Sequence, residues 1–122
     1  MYRLQVKEHF DAAHFIKDHQ GRCSREHGHR FEVEVVLEGK KLDSMNMLVD
    51  FSFIKNTLKV LLDNKLDHWQ LNQTLEENNV TAEFLAKWIY DMIDNTYWAE
   101  GVELSSVTVW ESPDCCVNYY GD

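Results

Sequence analysis

"CSREHGHRFEVEVVLE", residues 23–38, decides how the rest of the chain is read. In its second half Phe31, Val33, Val35 and Leu37 alternate with Glu32, Glu34 and Glu38, with Val36 the exception. A period of two is that of a β-strand with one buried face. In its first half His27 and His29 are two residues apart. If the strand begins near His27, both imidazoles project from the same face. Gly28 between them would let another backbone approach closely, and Cys23 lies just upstream.

A metal ion needs a third ligand from elsewhere, and the preceding segment offers one. Tyr2, Leu4 and Val6 alternate with Arg3, Gln5 and Lys7, which reads as a first strand running to about Phe10. Paired as a hairpin, the end of this strand faces the start of the next, so His14, just past its end, falls near His27 and His29. His9 shares a strand with charged positions and His19 sits in a polar loop, so both read as ordinary surface histidines. Zinc takes imidazole at about 2.0–2.1 Å, with three protein ligands when catalytic and four when structural. Cys23 therefore has two readings, as a fourth ligand closing a structural site or as a reactive thiol beside an open one. Spacing does not choose between them.

Downstream the period changes. Asp50 caps a helix with Phe51, Ile54, Leu58, Leu61 and Leu62 on its apolar face. "NKLDHWQLNQTLEENN" breaks the pattern and reads as a loop. Thr81 caps a second helix, in which Phe84, Leu85, Trp88, Ile89, Met92 and Ile93 face a core. Leu104, Val107 and Val109 mark a third strand ending near Glu111, and "CCVNYYG" a short fourth. The order β-β-α-α-β-β gives an α+β fold, a four-stranded antiparallel sheet with both helices on one face. Its open edges invite oligomerisation. The 122 residues suit a single domain spanning 1–122.

Composition narrows the function. The net charge of −9 argues against nucleic-acid and anionic-membrane partners. The charge is uneven: residues 1–41 carry a net +1 and residues 42–122 a net −10. Lys17, Arg22, Arg25 and Arg30 thus lie in the part suited to a small anion. No apolar run approaches the roughly 20 residues of a spanning helix, and the opening "MYRLQVKEHF" is not a signal peptide. Three cysteines are no disulfide framework, so a soluble, cytoplasmic protein with reduced thiols is expected. Cys115 and Cys116 read as buried, inert thiols.

Two further constellations lie apart in sequence. Asp67 and His68 sit in the inter-helix loop, where an Asp can orient an imidazole as a proton shuttle. Glu111 closes a strand rich in apolar residues. A carboxylate there needs donors, such as the N–H edge of a guanine-like ring.

Taken together, "FDAAH" (10–14), "CSREHGH" (23–29), "LVDF" (48–51), "LDHWQLN" (66–72), "TAEFLAKWIYDMI" (81–93) and "VTVWES" (107–112) resemble the 6-pyruvoyl-tetrahydropterin synthase and 6-carboxytetrahydropterin synthase family over essentially the whole chain. The short gap between Cys23 and the HGH triplet resembles the carboxy branch of the queuosine pathway. The resemblance implies a tunnelling fold, in which subunits trimerise into a β-barrel and two trimers form a homohexamer with active sites between subunits. It implies Zn2+ on His14, His27 and His29, with Cys23 the proton-abstracting thiolate and Asp67 and His68 the partner acid/base pair. Glu111 would anchor the pterin, assisted by the Thr81 region. The implied reaction is that of a lyase, from 7,8-dihydroneopterin triphosphate to 6-carboxy-5,6,7,8-tetrahydropterin with release of acetaldehyde and triphosphate. A pyruvoyl product, or a non-enzymatic zinc-stabilised module, is the alternative. Val80 and Ser112 depart from the proline and threonine usual in the family.

Overall fold

A computed structural model describes residues 1–122. Four strands form one antiparallel sheet in the order β1-β2-β3-β4: β1 (Tyr2–His14), β2 (His27–Gly39), β3 (Glu103–Ser112) and β4 (Cys115–Tyr119). Between β2 and β3 lie α1 (Phe51–Lys65), the single turn α2 (Leu71–Thr74) and α3 (Ala82–Ile93). The sequence reading stopped β1 near Phe10 and made residues 64–79 a plain loop. The strand instead continues to His14, because Asp11 to His14 pair with Arg30 to His27, and α2 forms where Gln70 caps the backbone N–H of Gln73.

Register puts one side chain set on the helix-covered face. Val6 lies opposite Val35, Phe10 opposite Phe31, and Val35 and Val33 opposite Val107 and Val109. Ile54, Leu58 and Leu62 of α1 and Leu85, Ala86, Ile89 and Ile93 of α3 are buried in the same hydrophobic cluster as these strand residues. Asp50 caps α1 through the N–H of Ser52, and Thr81 caps α3 through that of Phe84. Phe51 and Met92, read from sequence as core-facing, are exposed, as each sits at the rim of its helix's apolar stripe.

The opposite sheet face is polar. Asp11 pairs with Arg30, Lys7 with Glu32 and Gln5 with Glu34, each across the β1–β2 ladder. Cross-strand pairs of this kind fix register without adding apolar surface. No helix is long and apolar enough to cross a membrane. Cys115 and Cys116 are exposed, not buried, because β4 is a short edge strand.

Candidate active site

At one end of the sheet the buried face changes from apolar to imidazole. In the register, His14 lies opposite His27 and Ala12 opposite His29, so all three histidines continue the row of Phe10 and Phe31. The ring centroids lie 4.4 Å (His14–His27), 5.0 Å (His14–His29) and 4.6 Å (His27–His29) apart. One side-chain ligand atom from each, with a carboxylate oxygen of Glu111, falls within 4.8 Å of the others. Gly28 needs no close approach within the chain: a Cβ there would meet the Ala12 carbonyl at an ordinary 3.9 Å.

The backbone fixes which nitrogen each ring presents. His14 Nδ1 donates to the Val80 carbonyl at 2.7 Å, and His27 Nδ1 donates to the Arg25 carbonyl at 2.7 Å. Each leaves Nε2 as a bare lone pair directed inward, the arrangement metal-ligating histidines adopt. Burial pushes His14 below the usual imidazole range, and burial followed by the charge of His27 does the same for His29. Both rings therefore favour the neutral form that binds metals. His14 Nε2 and His29 Nε2 are buried with no hydrogen-bond partner. Two such orphans would be costly in a site meant to stay dry and apolar, and a divalent cation satisfies them at once. The donor set of three imidazoles and one carboxylate suits zinc or a neighbouring borderline metal.

Cys23 lies in a single 3-10 turn, Arg22–Ser24, whose position is set by Ile16 N–H donating to the Cys23 carbonyl at 2.7 Å. It shares a cleft with Arg22, Arg25, His27, His29 and Glu111. Its sulfur is not in the converging set of ligand atoms, and the position that would close the histidine shell is held by Glu111. Lys17 is exposed in the connection, and Arg30 is held by Asp11 on the opposite sheet face, leaving Arg22 and Arg25 as the guanidiniums at the cleft.

Asp67 and His68 are elsewhere in the same chain. Residues 67–70 run along the outer edge of β1. Asp11 N–H donates to Asp67 Oδ1 at 2.9 Å, His68 N–H to the Asp11 carbonyl at 2.6 Å, and Ala13 N–H to the Trp69 carbonyl at 3.2 Å. Asp67 Oδ2 lies 2.9 Å from His68 Nδ1. The Asp11 N–H, and after it His68, hold the Asp67 carboxyl below the usual range. The His68 side chain is 79% exposed and its backbone has φ 63°. His68 thus faces outward over a second shallow cleft with Asp11, Gly28 and Gln70, and neither residue of the pair lines the cleft of Cys23.

Thr81 spends its hydroxyl on the α3 cap and follows Val80, whose carbonyl holds His14. Two positioning residues escape sequence reasoning. Asp11 ties the 67–70 loop to the sheet. Asn72, buried, accepts from Phe15 N–H and donates to the Phe15 and Asn78 carbonyls at 2.9 Å each, fixing the chain just after His14. The Asn in "LDHWQLN" was visible, but nothing local marks it as buried.

Residues 3–122 match the family model for 6-pyruvoyl tetrahydropterin synthase. The chain is 35% identical over 125 residues to the 6-carboxy-5,6,7,8-tetrahydropterin synthase of Synechocystis sp., covering 98% of this chain and 94% of the relative. It is 30% identical over 136 residues to the enzyme of the same name from Rickettsia conorii, covering 96% and 99%. Among solved structures, the 6-pyruvoyl tetrahydropterin synthase of Caenorhabditis elegans superposes with a TM-score of 0.85 at 23% identity, over 99% of this chain and 96% of that one. The chain belongs to the 6-pyruvoyl tetrahydropterin synthase family and has its tunnelling fold.

Proposed function

We propose that this member of the family converts 7,8-dihydroneopterin triphosphate to 6-carboxy-5,6,7,8-tetrahydropterin, with one water consumed and acetaldehyde and triphosphate released, as a zinc-dependent lyase in queuosine synthesis. The observation that carries this reading is the convergence of His14, His27 and His29, two of which (His27 and His29) line a cleft that also holds Cys23, while Cys23 stays outside the ligand set. A closed structural site would place the sulfur among the ligands. The carboxy name of the relatives that match over nearly their full length favours that product over a pyruvoyl one.

His14, His27 and His29 would hold the zinc, which as a Lewis acid would polarise the oxygens of the substrate side chain. Cys23, next to the histidines, takes a proton from that side chain. Glu111 accepts from the N–H edge of the pterin, with the Thr81 region shaping the far wall. Arg22 and Arg25 meet the triphosphate, the one strongly anionic part of the substrate. Asp67 orients His68, which carries the second proton. Because His68 and Cys23 of one chain line different clefts, His68 serves a neighbouring subunit. That geometry suits subunits joined edge to edge into a barrel, with two trimers forming a homohexamer in the cytoplasm.

The test is a pair of substitutions assayed with 7,8-dihydroneopterin triphosphate. Cys23→Ala should keep one metal per chain and lose turnover, whereas His27→Ala should lose both. Loss of metal from the Cys23 variant would turn the site into a closed structural one and overturn the enzymatic reading.

A further inference from the structure

Glu111 has a position that anchoring a pterin does not explain. Its Oε1 lies 3.2 Å from His14 Nε2 and 3.7 Å from His29 Nε2. His14 Nε2 is the bare nitrogen of a ring whose proton is committed to Val80. A carboxylate oxygen facing a lone pair across 3.2 Å is repulsive unless a cation lies between them. Two donors sharing a tetrahedral ion with bonds of about 2.0–2.1 Å are about 3.3 Å apart, and the two observed separations bracket that edge. The backbone aims the side chain there. Trp110 pairs with Cys116 and Ser112 with Cys115, so Glu111 is the unpaired residue of a β-bulge. Bulges re-aim one side chain out of a ladder. The side chain is also 34% exposed, so it is free to leave.

We infer that Glu111 has two stations: with no pterin bound it is the fourth ligand of the metal held by His14, His27 and His29, and it leaves that position when a pterin ring offers its N–H edge. The inference rests on the pterin reading above and adds a coupling to it. One carboxylate cannot serve both partners at once, so ring binding opens the coordination position that the side-chain oxygens then take. A pterin bound by its ring clears the metal, and a small polyol without the ring meets a closed site.

The experiment uses the Co2+-substituted protein, whose visible absorption reports the ligand set, and 6-methylpterin, which keeps the ring N–H edge and lacks side-chain hydroxyls. In the pterin-free protein Glu111→Gln should change the Co2+ spectrum and weaken metal binding by at least about tenfold, the lower bound for losing even an outer partner of a ligand. The melting temperature of the metal-free variant should not fall below that of the metal-free parent, since Glu111 sits outside the hydrophobic cluster and the substitution removes the repulsion with His14. Adding 6-methylpterin should shift the spectrum of the parent protein toward that of the variant and leave the variant's own spectrum unaltered. Identical spectra and affinities for parent and variant without pterin would overturn the resting ligand. Binding of 6-methylpterin, followed by its own fluorescence, with no spectral response would overturn the exchange and leave the pterin reading standing. Failure of 6-methylpterin to bind at all would overturn the exchange and the pterin reading together.

Discussion

His68 holds φ 63°, a left-handed conformation that costs a residue with a Cβ roughly 1–2 kcal/mol and glycine almost nothing. Strain of this kind persists where the surroundings fix it, here the hydrogen bond of its own N–H to the Asp11 carbonyl and that of the Ala13 N–H to the next carbonyl, of Trp69. His68→Gly should therefore be more stable than His68→Ala by about 1 kcal/mol in thermal melts, while both lose turnover. Equal stability of the two variants would show that the segment relaxes without the imidazole. Asp67 gives a pH signature at the same scale. The Asp11 N–H lowers its pKa in the folded state below 3.8, so the unfolded chain binds the proton first. Its contribution to stability is present above pH 3.8 and is lost as pH falls through the lower folded value. Asp67→Asn should flatten that part of an acid-unfolding curve and leave stability at neutral pH lower. The His27/His29 pair was legible in the sequence because a period of two forces side chains two apart onto one face. The bare Nε2 of His14 was not, since the carbonyl that fixes its tautomer belongs to Val80, far along the chain.

At the scale of elements, the site depends on how far β1 runs. Pairing through His14 converts a ring that would lie in a loop into the last rung of the ladder. The sequence reading ended β1 near Phe10 because Asp11, Ala12 and Ala13 lack the alternation of large apolar and charged residues. Their pairing instead comes from β2 on one edge and from residues 67–70 on the other, contacts distant in sequence. The helices were readable from their caps and stripes, α2 was not, as a single turn held by the Gln70 side chain leaves no period. The start of α3 ties the helix layer to the histidine cluster, since Thr81 caps it and Val80 holds His14. Thr81→Ala should cost about 1 kcal/mol and Thr81→Ser much less. If the cap also steadies the Val80 carbonyl, the Ala variant should bind metal more weakly while the Ser variant does not. Unchanged metal affinity in both would separate the cap from the site.

For the whole molecule, the separation of Cys23 from His68, the two groups the proposed mechanism uses as acid and base, is the informative feature. Cys23 opens onto one cleft and His68 onto another, so in the proposed mechanism a single chain would supply halves of two different sites. The sequence pointed to a barrel only through resemblance, because register within one chain says nothing of which edges meet. The polar sheet face, the free edge of β4 and the stretch of the β1 edge ahead of Asp11 are what an assembly would enclose. Mixing inactive Cys23→Ala and His68→Ala proteins, unfolded and refolded together, should restore a fraction of the parent activity, as some sites then combine an intact Cys23 with an intact His68. No recovery from mixed oligomers would place both groups of one site in one chain. The central claim concerns the reaction itself, and the most direct measurement is product analysis. Zinc-loaded protein incubated with 7,8-dihydroneopterin triphosphate should yield 6-carboxy-5,6,7,8-tetrahydropterin and acetaldehyde in equal amounts by mass spectrometry. A 6-pyruvoyl product without acetaldehyde, or no turnover with the metal in place, would contradict it.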